Sequence, residues 1–227
     1  MEIDLATGEA TGGWSLRRLQ GSARELHEID LPTDERSVWL METRQTALVL
    51  GSTQTVDEID LASMDEAGVE VTRRRSGGGA VLIVPGECRW VDVVIPADDV
   101  LWDVDVSRSF LWLGEVWAEA LRDLGIPADV HHGPSLDIAR GRVACFAGIG
   151  SGEVVSDGRK VVGLSQRRTR GGARFQCIIH ERFDAARTAA IVRSDAMWAE
   201  MVEHLAASVG VVPDVDTALD AMVGRLP

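Results

Sequence analysis

The spacing of apolar and polar positions changes several times along the chain. TALVLGS (46–52) is an unbroken apolar run that stops at a glycine, which predicts a buried strand. VEVTRR (69–74) alternates and predicts a second strand, leading into SGGG (76–79) and then AVLIV (80–84). WVDVVIP (90–96) is a further strand. VSRSFLWLGEVWAEALRDLG (106–125) carries apolar residues at helical spacing and ends on glycine, an amphipathic helix in which Trp112 and Trp117 are core or interface residues. PADVHH reads as a loop. EVVSDGRKVVGLSQ reads as a hairpin turning at Asp157-Gly158, and ARFQCIIH (173–180) continues as a strand. From Phe183 onward the spacing is helical, and residues 22–30 fit a short helix. Strands around one central helix, followed by helices, describe an α+β domain. Residues 1–15 read as a loosely attached arm. Residues 16–227 read as one domain with a helical part over about 183–227 and no accessory domain.

Composition narrows the class. With 45% hydrophobic residues the chain can bury a core, and no run approaches the roughly 18 apolar residues of a membrane span. The acidic, Gly/Thr-rich start is unlike a signal peptide, and Cys88, Cys145 and Cys177 lack metal or disulfide spacing; the expectation is a cytoplasmic protein. A net charge of −13 opposes general nucleic-acid binding. Nine of the 23 cations nevertheless fall in two short segments, Arg73–Arg75 and a set made of Arg159, Lys160, Arg167, Arg168, Arg170 and Arg174, a pattern that suggests a local anion pocket.

Lys160 is the only lysine; the other 22 basic side chains are arginine. A chain that supplies its surface cations as arginine keeps a lysine where a compact ammonium is needed, to neutralise an anion or polarise an oxygen. Gly77–Gly79, between two strand patterns, allow positive φ and close approach of a ligand to backbone N–H groups. No Walker loop or GxGxxG is present.

RRRSGGGAV (73–81) resembles the RRxSGGGAV signature of lipoate–protein ligases, in the biotin/lipoyl protein ligase superfamily. LVLGSTQ (48–54) resembles the strand that precedes it there, and DGRKVVGLSQRR resembles the DGKKISGSAQ segment that carries those enzymes' lysine. The three elements come in family order, over roughly residues 38–180. The resemblance implies a mixed sheet of the biotin/lipoate ligase type with flanking helices, cradling an acyl chain. It implies lipoate or octanoate as substrate, with ATP and Mg in a ligase, and attachment to a lysine of a lipoyl domain of a 2-oxoacid dehydrogenase or glycine-cleavage protein. Residue by residue, Lys160 matches the catalytic lysine, and Gln54, Arg74, Ser76, Gly77, Gly78, Gly79, Ala80 and Gly163 match substrate-binding positions.

CFAGIGSGEVVSDGRK also resembles CFxxPSxxELVVxGRK of the cysteine-dependent octanoyltransferases, in which the cysteine matching Cys145 carries an acyl thioester. The donor would then be an acyl-carrier protein or another acyl-protein. The family's histidines are replaced by Ile83 and by Gln176-Cys177, which leaves a non-catalytic acyl-binding descendant as a third reading beside ligase and transferase. A ligase of this length would use a separate accessory domain.

Overall fold

A computed structural model describes residues 8–10, 12–59, 61–190 and 195–227. Its strands are β1 (Gly8–Ala10), β2 (Trp14–Gly21), β3 (Ser37–Thr43), β4 (Ala47–Leu50), β5 (Glu70–Arg73), β6 (Val81–Ile83), β7 (Cys88–Pro96), β8 (Asp129–Val130), β9 (Val154–Ser156), β10 (Arg159–Arg168) and β11 (Gly172–His180). The helices are α1 (Ala23–Glu28), α2 (Leu61–Glu66), α3 (Leu111–Asp123), α4 (Ile138–Val143), α5 (Ala185–Ala189), α6 (Asp195–Ser208) and α7 (Val215–Gly224), and a 3-10 turn occupies Cys145–Ala147.

Eight strands form one mixed sheet in the order β1-β2-β3-β7-β11-β10-β9-β8, and β5-β4-β6 form a second. The period-2 alternation of the central strands sorts the layers. Val91, Val93, Phe175, Cys177 and Ile179 face α3 and α7 in one apolar cluster that includes Trp117. Trp90 and Val94 face the other way, against Val49, Val81 and Ile83 of the small sheet. The opposite face of the small sheet, with Leu48, Leu50 and Leu82, packs under Met201 and Leu205 of α6. The fold is therefore α+β: helices, large sheet, small sheet, helices.

Local chemistry explains the ends of these elements. Ser22 and Glu25 form a reciprocal capping box at the start of α1. Asp157 and Gly158 both take positive φ, 49° and 75°, as the two-residue turn between β9 and β10 requires. Two strands that the apolar pattern does not mark, β2 and β3, pair in parallel with each other. The segment read as a loop, PADVHH, contains β8, two residues long and paired to β9. The arm read over residues 1–15 overlaps β1 and the start of β2, whose Trp14 is buried; residues 1–7 and 11 lie outside the described residues. No described helix is long and apolar enough to cross a membrane.

Candidate active site

The hairpin holds a feature that alternation alone cannot supply. Lys160 pairs with Val155 and Val162 with Val154, so β10 carries one extra residue between them, a β-bulge. In an unbroken strand, positions 160 and 163 would point to opposite faces. The bulge brings the Lys160 side chain back beside Gly163, where an added Cβ would stand 3.5 Å from the lysine Cε and 3.0 Å from the Phe146 ring. Gly163 leaves the room through which the lysine passes.

Lys160 is 1% exposed, yet its ammonium is well partnered. Nζ donates to Glu153 Oε1 (2.8 Å) and Oε2 (2.9 Å), to Gly148 O (2.9 Å) and to Cys145 O (2.6 Å). Burial alone would lower its pKa; the charges of Cys145 and Glu153 outweigh that and hold it above the ordinary lysine value. Glu153 is buried as well, and accepts from Gly150 N and Leu164 N. Glu153 falls on the glutamate of the CFxxPSxxELVVxGRK segment, but sequence reasoning assigned it no role, because a lone glutamate normally reads as a solvated surface group. The available signal was the lysine itself: a lysine on an apolar strand needs a buried counter-charge.

Cys145 sits in the 3-10 turn, with Sγ 3.8 Å from Lys160 Nζ. Its loop is fastened to the glycine segment: Ala80 N donates to Val143 O (3.0 Å) and Cys145 N to Ala80 O (2.9 Å). The other two cysteines are in different surroundings. Burial pushes the Cys88 thiol up to about 11 and raises that of Cys177 further, whereas Cys145 is half-buried and lines open space.

Two cavities meet at Cys145. One is narrow, lies between the sheets and is walled by Val49, Val81, Ile83, Trp90, Ile178 and Gly163, with His27, Arg74, Ser165 and Gln176 as polar members. The other is larger and more open, and is lined by Gly77, Gly78, Gly79, Gly148, Glu153 and Lys160. Cys145, Leu164 and Ser165 belong to both. The glycines and Lys160 thus share the open cavity, and the narrow apolar space lies beside it rather than between them.

The remaining candidate residues have structural partners. Gln54 accepts from Gly51 N and donates to Val143 O, bracing the end of β4 without lining either cavity. Arg74 is buried, and its guanidinium donates to the carbonyls of Val49, Gly77 and Gly79. Ser76 donates to Gln176 Oε1 (2.8 Å) and contacts Ser165 Oγ (3.1 Å). A Cβ on Gly79 would lie 2.4 Å from Gly141 O, so this glycine serves backbone packing against the cysteine loop.

The anion pocket expected from the clustered cations does not form among them. Arg174 pairs with buried Asp92 (Nε to Oδ2, 2.6 Å), Arg75 and Arg167 both reach Asp30, and Arg168 lies over Trp102. Strand alternation sends neighbouring arginines to opposite faces.

Two buried histidines give a pH signature. Burial, aided by Arg174 and Arg74, lowers His27 to about 2; burial, aided by Lys160, lowers His180 to about 3. Both start from 6.5 in the unfolded chain, which binds two protons that the folded state refuses. Stability is thus fully present above about pH 6.5 and falls as the pH drops toward 3, by up to about 2 kcal/mol per histidine at pH 5. Urea midpoints are expected to decrease from pH 7.5 to pH 5, less steeply in His27→Phe; a flat profile would contradict the assignment.

Comparison with known proteins agrees with this architecture. The sequence model described as "Lipoyl protein ligase A/B catalytic domain" matches residues 23–225. The chain is 35% identical over 128 residues to octanoyltransferase LipM of Moorella thermoacetica, which is 54% of this chain and 44% of that protein. It is 30% identical over 138 residues to lipoate-protein ligase LplJ of Bacillus subtilis, 60% of this chain and 34% of that one. The matched region thus spans less than half the length of either relative. Among solved structures, a bi-partite lipoate protein ligase from Thermoplasma acidophilum shares the fold with a TM-score of 0.73 at 17% identity, covering 96% of this chain and 82% of that one. A lipoate-protein ligase A bound with ATP superposes with a TM-score of 0.68 at 20% identity, covering 94% and 83%. With the family match running from α1 to the end of α7, the chain belongs to the lipoyl protein ligase A/B catalytic domain family.

Proposed function

We propose that the protein transfers a medium-chain acyl group to a lysine of a lipoyl domain by way of a thioester on Cys145. The observation that carries this reading is the position of Sγ, at the junction of an apolar cavity and an open one, 3.8 Å from a buried ammonium. Cys145 gives up its thiol proton and its sulfur attacks the carbonyl of a thioester donor; the new C–S bond forms, the donor's C–S bond breaks, and the donor sulfur leaves with that proton. The acceptor amine then attacks the same carbonyl. A C–N bond forms, the C–S bond breaks, and the proton lost by the amine ends on the Cys145 sulfur. Lys160 sets its positive charge 3.8 Å from the Cys145 sulfur. Because its three N–H donors are shared among four oxygens, it also holds the cysteine loop to Glu153. The apolar cavity takes the chain, and the open cavity admits donor and acceptor in turn. The Thermoplasma ligase of like fold, described together with its E2 lipoyl domain, supports a lipoyl domain as acceptor.

ATP-dependent activation of free lipoate is the second reading, favoured by the glycines that line the open cavity and by the likeness to LplJ. Arg74, the cation nearest those glycines, is spent on their carbonyls, which weakens it as a phosphate partner. Mass spectrometry after incubation with an octanoyl thioester, acceptor withheld, is expected to find the acyl mass on the Cys145 peptide, discharged when a lipoyl domain is added. No adduct, with pyrophosphate released from ATP and lipoate, would replace this reading by the ligase. Neither signal would leave an acyl-binding protein.

A further inference from the structure

The far wall of the apolar cavity contains an unpaired polar atom. His27 is 7% exposed, lines the cavity, and stacks on Trp90 with ring centroids 4.2 Å apart and planes 27° from parallel. Its Nε2 is buried without a hydrogen-bond partner.

The neighbours decide what that atom is. Gln176 Oε1 accepts from Ser76 Oγ at 2.8 Å, so the amide NH2 points the other way, toward His27 Nδ1 at 3.2 Å and the Asp92 carboxylate. An amide nitrogen only donates, so Nδ1 is the acceptor and carries no proton. The ring is neutral, since burial beside Arg174 and Arg74 keeps it from charging. Its proton therefore sits on Nε2, a buried N–H donor with nothing to donate to. The ring is held in place rather than adrift: Arg174, paired with Asp92, donates to Leu26 O (2.7 Å) and Ile29 O (3.1 Å), on either side of His27.

Position along the sheet says which part of a ligand would meet this donor. Gly163 pairs with Ile178 and Ile178 with Trp90, one row across three strands. Cys145, Phe146 and Gly163 bound the cavity on the β10 side, and Trp90 with His27 above it bounds the β7 side, two strand spacings or about 10 Å away. An acyl chain whose carbonyl lies at Cys145 brings its distal carbons to His27.

We propose that His27 reads the distal end of the acyl chain and is a specificity-determining residue, favouring chains with an oxygen or sulfur acceptor there over a saturated chain. This inference rests on the cavity being the acyl site. A saturated chain would leave the already buried donor unpaired, whereas an acceptor set against it would satisfy a group whose missing bond is costly. A chain ending in a cyclic disulfide would offer a sulfur to the N–H and to the aromatic faces of Trp90 and His27, a favourable pairing. A chain ending in a ketone would offer a stronger acceptor to the same N–H.

The test measures binding of octanoic acid, lipoic acid and 7-oxooctanoic acid by calorimetry, checked by fluorescence of Trp90, which stacks on His27. Lipoic and 7-oxooctanoic acid are expected to bind about tenfold more tightly than octanoic acid, the scale of one hydrogen bond to a buried donor. His27→Phe keeps a ring on Trp90 and removes the donor; it should bring the three affinities together. His27→Gln, which restores an N–H, should recover part of the preference. Equal affinities in the unaltered protein, or a preference that survives His27→Phe, would overturn the inference and leave the Cys145 thioester standing. Failure of all three acids to bind would remove the acyl cavity and both proposals. A preference without any Cys145 adduct would retain the role of His27 and sink the thioester. The comparison of ligands on the unaltered protein needs no variant to fold.

Discussion

Cys145→Ser is expected to lower acyl transfer from a thioester donor by at least about 1,000-fold, the scale on which loss of a nucleophile registers. The hydroxyl that replaces Sγ would occupy the same junction between the cavities, 3.8 Å from Lys160 in the present structure, with backbone anchors through Ala80 unchanged. What it cannot do is ionise near neutral pH, and no histidine or carboxylate adjoins Sγ as a general base among the hydrogen bonds of the described residues. Discharge of a radiolabelled octanoyl thioester onto a lipoyl domain would measure the loss. Cys88→Ser is the control: Cys88 is buried away from both cavities, and its substitution should leave the rate near that of the unaltered protein. Substantial transfer by Cys145→Ser would mean that the acyl group never visits this residue.

Lys160→Arg is the second large effect, a fall of at least about 100-fold. Charge is conserved, but the cradle is built for a point: four oxygens within 2.9 Å of one nitrogen, beneath Phe146 and beside Gly163. A planar guanidinium needs several separated acceptors and more room. It would displace the Cys145 loop or draw away from Glu153. Circular dichroism and urea unfolding alongside the rate would separate lost catalysis from lost fold. A rate near that of the unaltered protein would make the solitary lysine an accident of composition.

The central part of the fold was legible because its signals are local. The apolar run of β4, the helical spacing of α3 and the Asp157-Gly158 turn each depend on residues close in sequence. β2 and β3 were missed since they pair with each other in parallel near one side of the large sheet and mix Arg17, Arg18 and Glu42 with apolar residues. The site was half legible. Lys160, Cys145 and Gly163 stand out by scarcity or motif and do come together. Glu153, although it falls on the glutamate of the quoted cysteine segment, and His27 were given no role, because burial is what sets them apart, and burial depends on register: the bulge in β10 and the packing of α1 over Trp90. The arginine clusters misled for the same reason, since proximity in sequence along a strand means opposite faces.

The sealing of Lys160 has one more consequence. A protein that carries an activated acyl group is itself at risk from it, because every accessible ε-amine on its surface is a competing acceptor. This chain offers none: its single lysine is 1% exposed, and its ammonium, held protonated by Glu153, has no lone pair with which to attack. For the proposed acyl thioester, self-modification is thereby avoided by composition as well as by geometry. The same arrangement makes amine-reactive labelling a clock, since apart from the α-amino group a reagent can gain a second site only when the strand hairpin around Lys160 opens.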